Sequence, residues 1–160
     1  QLRTQLRDAK EFLKNLECRQ ETLLRVSEAI MEAQKAFLEQ GEEAMKPLKL
    51  ADIADKTDLS ISWISRATTR KYIRTPKGIY PLKFFFSNPI RTFSGENISS
   101  TAIRAKIKQT ILKEDAKKPL SDKKIADSLS GGGIRVARRT VAKYRETMKI
   151  PSSNERKRID

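Results

Sequence analysis

The sequence predicts a mainly α-helical protein, and three observations support this fold class. Residues 1–40 contain no glycine or proline and repeat apolar residues at steps of three and four, as amphipathic helices do. Two later segments each read as a helix, a turn and a polar helix. A Thr75-Pro76-Lys77-Gly78 turn separates two short β-type runs. We expect a long helix, a helix-turn-helix with a small β-hairpin wing, a linker, and a three-helix C-terminal domain.

The first segment, residues 1–46, is expected to contain one or two helices. If there are two, the break falls near residues 15–20, and the last turn ends at Gln40 with Gly41 as the C-cap. The segment holds 8 Lys and Arg against 9 Asp and Glu, although the whole chain carries a net charge of +14. Because it is nearly neutral, we expect it to contact protein rather than a polyanion.

Residues 47–92 form the first expected helix-turn-helix unit, with helices at 50–57 and 61–70. Ser60 is a good N-cap for the second helix. One side of that helix is expected to be buried and carries Trp63, Ile64 and Ala67. The other side carries hydroxyls and a guanidinium, which suit phosphates and base edges in a major groove. The expected DNA-binding residues are Ser62, Ser65, Arg66, Thr69, Arg70 and Lys71.

The segment after this helix is expected to close the first unit and lead out of it. The 75–78 turn predicts the hairpin, and Phe84 to Phe86 are expected in the core. Residues 87–98 are polar and contain proline and glycine, so they are expected to be irregular, with the interdomain linker at 93–98.

Residues 99–160 repeat the same design. Ser99 or Ser100 caps a helix at 100–115, Ser121 caps another, and a Gly131–Gly133 turn precedes a last helix at 137–148. The run DIAD at 52–55 recurs as KIAD at 124–127. Two such units in series are typical of two groove contacts on one duplex, about 34 Å apart.

The last helix divides into an apolar stripe and a basic half. The stripe, expected to be buried, is Ala137, Val141, Tyr144 and Met148. On the basic half, Arg138 or Arg139 could bond guanine, while cations further along neutralise phosphates. The expected DNA-binding residues here are Arg138, Arg139, Thr140, Ala142, Lys143, Tyr144 and Arg145, and Glu146 lies on the same side.

The composition argues against several other classes of protein. With one cysteine, Cys18, and no histidine, a disulfide framework and a Cys/His zinc site are excluded. There is no GxxxxGK[S/T] loop and no catalytic constellation, so we expect no enzyme activity, no cofactor and no metal. No apolar run approaches about 18 residues, so we expect no membrane contact and a cytoplasmic protein.

Residues 137–146, ARRTVAKYRE, match the RpoN box, the signature decapeptide of the sigma-54 family of bacterial transcription initiation factors. The runs GEEAMKPLKLADIAD, ISRATTRKYIRTPKGIYPLKFFFS and SSTAIRAKIK also resemble that family. The resemblance extends from about residue 11 to the end. One departure is Ser60-Ile61-Ser62-Trp63, where the family commonly shows His-Glu-Ser-Thr, so a glutamate contact from position 61 is not expected.

The resemblance implies a specificity subunit that binds core RNA polymerase and directs it to promoter DNA. Residues 99–160, the RpoN domain, would read the upstream GG element at about −24 through Arg138 and Arg139. Residues 47–92 would read the downstream element at about −12 through Arg66, and residues 1–18 match the end of the core-binding region. Initiation would depend on an AAA+ ATPase activator, a bacterial enhancer-binding protein. The protein would be associated with the nucleoid in the bacterial cytoplasm.

Two other functions are compatible with the residues alone. A stand-alone regulator with tandem helix-turn-helix units would bind DNA without polymerase, but it would have no need of the nearly neutral first segment. The DNA-targeting part of an enzyme such as a recombinase would need a carboxylate cluster or a nucleophile, and the sequence has no motif of either kind.

Overall fold

The computed structural model describes residues 1–92, 95 and 97–157. The chain divides into two compact units, which we call unit 1 (residues 1–38 and 48–86) and unit 2 (residues 39–47 and 87–160). The predicted mainly α-helical class is confirmed. The units differ from the predicted boundaries at 46/47 and 92/93, since the long helix packs with the first helix-turn-helix and residues 39–47 belong with the C-terminal part.

The N-terminal segment is one long helix followed by a short one. Helix α1 spans Leu2–Ala33 and α2 spans Lys35–Gln40. The break lies at Gln34, so the expectation of a break near residues 15–20 was wrong. The side chain of Gln34 is fully buried, and its Nε2 donates to the carbonyl of Phe85 at 3.2 Å. Gly41 adopts a φ of 82° where a 3-10 turn begins at Glu42–Ala44.

The first helix-turn-helix of unit 1 consists of α3 (Leu50–Thr57) and α4 (Ile61–Thr68). Asp58 turns the chain in the left-handed region, with a φ of 53°. The hydroxyl of Ser60 then accepts from the amide of Trp63 and caps α4, as predicted. Ile53 and Ile64 are buried with Ile30 of α1, because both helices pack on the C-terminal half of α1.

The predicted hairpin follows α4. Strands β1 (Tyr72–Thr75) and β2 (Gly78–Pro81) pair antiparallel, with Ile73 opposite Tyr80. Gly78 has a φ of 131°, which favours glycine at the turn. A 3-10 turn at Leu82–Phe85 then brings Phe85 into the core, where it is fully buried.

Among its described residues, unit 2 contains a small sheet and four α-helices, in addition to the 3-10 turn at Glu42–Ala44. The elements are β3 (Pro89–Arg91), β4 (Asn97–Ser99), α5 (Ser100–Leu112), α6 (Asp122–Gly131), α7 (Arg138–Thr147) and α8 (Ser153–Arg156). The prediction that residues 87–98 are irregular is therefore partly wrong, because β3 and β4 pair antiparallel, with Ile90 opposite Ile98. Within the predicted 93–98 linker, residues 93, 94 and 96 lie outside the described residues.

The core of unit 2 is formed by its three longer helices. Ile103 and Ile107 of α5 are fully buried with Ile125 of α6 and Val141 of α7. Ser99 and Ser121 cap α5 and α6 through bonds from the amides of Ala102 and Lys124. The cap at Ser121 was predicted from the sequence, and Ser99 is one of the two residues, Ser99 or Ser100, predicted to cap α5. In the described part of the chain, no helix combines the length and the apolar character needed to cross a membrane.

Candidate nucleic-acid interface

Helix α4 presents a polar face because its other face packs on α1 and α3. Ile64 and Thr68 are the buried residues of this helix. Ser62 and Arg66 are one helical turn apart and both are exposed. A hydroxyl followed by a guanidinium on an open helix face can bond phosphates and base edges, so this face has the chemistry expected of a recognition helix.

The C-terminal end of α4 adds cations to this face. Thr69 is exposed, but its hydroxyl donates to the carbonyl of Ser65 at 2.6 Å, which leaves the oxygen lone pairs for other donors. Arg70 follows in the left-handed region, with a φ of 53°, and Lys71 is exposed beside it. This backbone turn starts the hairpin directly after the helix.

The sequence-based expectation that Trp63 belongs to the core was wrong. Trp63 is 47% exposed, and Thr68 is buried in the side of α4 that faces the core. The indole lines a groove of about 480 Å³ between α4 and α1, whose other walls include Leu16, Arg19 and Arg66. Trp63 lies one position before Ile64, so it points to the edge of the buried stripe rather than into it.

Helix α7 begins after a glycine turn that fixes its direction. Gly133 has a φ of 83°, and the amide of Ile134 donates to the carbonyl of Leu129 at 2.9 Å, which ends α6. Ile134 and Val136 are buried, so the connection between the helices is held to the core on both sides. The buried side chains of Ile134 and Val136 thereby hold the start of α7 at the surface of unit 2.

The first turn of α7 is open. Ala137 is the N-cap residue and has no side-chain acceptor, so in the described part of the chain no side chain caps this helix. Arg138 and Arg139 follow, and both are exposed. Uncapped amides and the positive end of the helix dipole attract anions, and two guanidinium groups at the same point strengthen that attraction.

The structure corrects the expected role of Arg145. This residue was expected to neutralise a phosphate from the basic half of the helix, but it is only 6% exposed. Its Nε and Nη2 donate to the carboxylate of Asp122 at 2.9 and 3.2 Å, and its Nη1 donates to the carbonyl of Ile150 at 2.7 Å. The hydrogen bond to Asp122 raises the pKa of Arg145, against the opposing effect of burial.

The buried stripe of α7 is also narrower than expected. Val141 is fully buried, and Tyr144 and Met148 are partly buried against the core, but Ala137 is exposed. The guanidinium carbon of Arg104, on α5, lies 5.9 Å from the centre of the Tyr144 ring. Tyr144 is thus held between the core and a cation, and its expected DNA contact is limited to the exposed part of the ring.

The predicted site residues differ in exposure. Those exposed to solvent are Ser62, Arg66, Thr69, Arg70, Lys71, Ala137, Arg138, Arg139, Lys143 and Glu146. The partly covered residues are Ser65, Thr140, Ala142 and Tyr144, and the buried ones are Val141 and Arg145. The structure therefore leaves Arg138, Arg139 and Lys143 exposed on α7, and Ser62 and Arg66 exposed one turn apart on α4.

The side chains that hold these helices in place were not predicted from the sequence. Asp122 and the pair of Glu114 and Arg156 were not singled out, although their hydrogen bonds join separate segments of unit 2. Asp122 follows the Ser121 cap, where acidic residues are common, so its position gave no signal of a partner 23 residues away. Over residues 1–92, 95 and 97–157, no cluster of three or more potential metal ligands is present.

Comparison with known proteins gives matches over nearly the whole chain. The family model described as "Sigma-54, DNA binding domain" matches residues 1–158. RNA polymerase sigma-54 factors from Escherichia coli (strain K12) and Azotobacter vinelandii are 56% and 57% identical over 158 residues, or 99% of this chain. The chain spans 33% and 32% of the length of these relatives.

A solved structure is also similar. The crystal structure of Aquifex aeolicus sigmaN bound to promoter DNA is 39% identical, with a TM-score of 0.58. The similarity covers 97% of this chain and 48% of the Aquifex chain.

Proposed function

The chain belongs to the sigma-54 DNA-binding domain family, and from this membership we propose that it is the promoter-recognition part of a sigma-54-type transcription initiation factor. The whole factor binds core RNA polymerase and directs it to promoters with elements at about −24 and −12. Initiation then depends on an ATP-hydrolysing activator. The chain itself performs no catalysis; its contribution is sequence-specific binding.

The observation that carries this proposal is the open N-terminal turn of α7 within the RpoN box. Arg138 and Arg139 are exposed there on a helix that no described side chain caps. Bidentate bonds from arginine to O6 and N7 of guanine are the commonest specific contact in the major groove. These two arginines therefore read the upstream GG element, and Lys143 binds a phosphate beside it.

Helix α4 supplies the second reading surface. Arg66 and Ser62 contact bases of the downstream element, while Thr69, Arg70 and Lys71 contact its phosphates. Arg145 is not among the DNA ligands, because its guanidinium is bonded to Asp122 and the Ile150 carbonyl. Residues 99–160 thus serve the upstream element, residues 47–92 the downstream one, and residues 1–46 face protein.

A chimera tests the proposal, because the chain spans about a third of its curated relatives. Residues 1–158 replace the matching third of the Escherichia coli factor, and the chimera is assayed with core polymerase, a −24/−12 promoter, an activator and ATP. We expect promoter-specific complexes and transcripts that require both activator and ATP. The matched control is the same chimera with Arg139→Ala, which should retain polymerase and lose promoter choice.

Two results would overturn parts of the proposal. Failure of the chimera to form a promoter complex, when it still binds polymerase, would contradict DNA recognition by these helices. Specific binding of the duplex by the chain, combined with no retention of polymerase by the chimera, would instead favour a stand-alone regulator.

A further inference from the structure

The β1–β2 hairpin of unit 1 has one face against protein and one face open. Ile73 and Tyr80, opposite each other, are partly buried on the inner face. On the outer face, Tyr72 is 68% exposed and Ile79 is 70% exposed, and the exposed Arg74 is the pairing partner of Ile79. We call the exposed residues Tyr72, Arg74, Ile79 and Pro81 the outer face of the wing.

The inner face is sufficient to hold the hairpin in place. The ring of Tyr80 lies 5.2 Å from that of Phe37 and is stacked at 4.8 Å on that of Phe84. The amide of Leu82 donates to the carbonyl of Lys71 at 2.8 Å, which ties the end of the hairpin to its beginning. A two-stranded hairpin is marginal alone, so these contacts give the wing its shape. The two large apolar residues of the outer face add little to that stability.

The charge of this region matches a polyanion. No Asp or Glu occurs between residues 59 and 95, whereas Arg66, Arg70, Lys71, Arg74 and Lys77 all lie in or beside α4 and the hairpin. Lys77 is at the hairpin turn and is exposed. Apolar side chains flanked by cations can pack on deoxyribose while the cations bind phosphates, and most protein–DNA hydrogen bonds go to the backbone.

We propose that the outer face of the wing, with Lys77, is a further DNA-binding surface. It contacts the sugar-phosphate backbone of the duplex bound by α4. This inference rests on the proposed function and extends it from the recognition helix to the hairpin. The surface carries no base readout of its own; it adds affinity and fixes the angle at which α4 enters its groove. An acidic protein surface is the competing partner, and salt-dependent DNA binding distinguishes DNA from it.

The first experiment measures salt dependence. Arg74→Ala and Lys77→Ala are titrated with a duplex carrying the downstream element and with a scrambled duplex, over a range of salt concentrations. Each lost phosphate contact should reduce the slope of log K against log salt by about 0.9, and should weaken binding about fivefold on both duplexes. Lys10→Ala is the control, because it removes the same charge from the exposed surface of α1.

The outcomes distinguish this inference from the proposed function. If wild type binds specifically and both wing variants keep its slope and affinity, the wing inference is wrong and the function stands. If the wild-type chain itself shows no specific binding to the downstream element, the proposed function is wrong, whatever the wing variants show. If the wing variants bind DNA normally but lose polymerase in the chimera, the surface binds protein and the inference is overturned.

A second experiment locates the hairpin on the DNA. Cys18 is exposed and must first be removed by Cys18→Ser. An iron chelate is then attached through Ile79→Cys, at a side chain that is 70% exposed and outside the core. We expect strand cleavage in the backbone beside the downstream element, within about one helical turn, and none with Cys18→Ser alone. A bound complex without cleavage would exclude contact between the wing and the duplex.

Discussion

The Nε of Arg145 lies 2.9 Å from Oδ1 of Asp122, so the last residues of α7 are joined to the first turn of α6 by a buried ion pair. Only 7% of the Arg145 side chain and 22% of the Asp122 side chain are exposed. The same guanidinium bonds the carbonyl of Ile150, beyond the end of α7. Arg145 therefore positions α7, and the exposed cations at positions 138, 139 and 143 are the ones we propose as DNA ligands.

Arg145→Ala is expected to destabilise unit 2 by about 3 kcal/mol, because it leaves a largely buried carboxylate without its partner. Lys143→Ala, two positions away and exposed, should change stability by less than about 0.5 kcal/mol. Urea unfolding of both variants makes the comparison. If Arg145→Ala kept full stability and lost only salt-dependent DNA affinity, Arg145 would be a phosphate ligand after all.

Arg139→Ala is expected to weaken binding to a GG-containing duplex by about 1–3 kcal/mol, since it removes a bidentate guanine contact. Binding to a duplex without GG should change much less, so the preference for GG should fall. Fluorescence anisotropy with both duplexes measures this difference. An equal loss on the two duplexes would mean that Arg139 binds backbone rather than bases.

Lys143→Ala is expected to lower affinity on every sequence by a similar factor. We propose that Lys143, exposed one turn after Arg139, binds a phosphate. Phosphates are the same in every sequence, so this contact gives no sequence preference. The slope of log K against log salt should decrease by about 0.9. An unchanged slope would refute the phosphate contact, and Lys149→Ala, a cation just beyond α7, provides the control for net charge.

Local signals predicted much of this fold. Ser60, Ser99 and Ser121 cap the helices expected after them, and the Pro76 turn forms the expected hairpin. Such features depend on a few neighbouring residues, so the sequence contains what is needed to infer them. The exposed arginines of α7 were predicted on the same basis.

The errors arose where distant residues decide the outcome. Helical periodicity assigned Arg145 to the basic half of α7, but it is buried, and its guanidinium donates hydrogen bonds to Asp122 and to the Ile150 carbonyl. Trp63 was assigned to the core, yet Ile64 is the fully buried residue at that point of α4 and Trp63 lines the groove beside α1. The pairing of β3 with β4 likewise joins residues on either side of a polar segment. None of these relationships is periodic along the chain.

Arg66→Ala is expected to reduce protection of the downstream element by about tenfold and to leave the upstream footprint unchanged, because Arg66 lies in unit 1 and the RpoN box lies in unit 2. Footprinting on a promoter with both elements measures the two effects at once. Ser62→Ala tests the neighbouring hydroxyl and should give a smaller loss. Disappearance of the upstream footprint in Arg66→Ala would contradict separate reading by the two units.

The stability of unit 2 is expected to fall in acid through Glu114, whose carboxylate accepts from Arg156 Nε at 2.7 Å and from the amide of Leu120 at 2.8 Å. Burial alone would raise the pKa of Glu114, but these bonds bring the pKa below its usual 4.5. The folded state thus binds its proton less readily than the unfolded chain does. The contribution of the Glu114 carboxylate to the stability of unit 2 is complete above about pH 5, and it is lost as pH falls through the lowered pKa.

Arg156→Met removes the charged partner of Glu114. It should reverse the direction in which acid changes the contribution of Glu114 to the stability of unit 2. In this variant the partly buried carboxylate of Glu114 has no cation beside it, so its pKa rises. Protonation in acid then no longer breaks an ion pair in the folded state. The variant should be less stable than wild type by about 2 kcal/mol at pH 7, and the difference should shrink towards pH 4. Urea unfolding at the two pH values tests this, with Lys113→Met, an exposed cation next to Glu114, as the charge-matched control. A difference that stays constant with pH would show that Arg156 stabilises unit 2 by packing or by its bonds to the carbonyls of Leu120 and Pro151 rather than through the Glu114 charge.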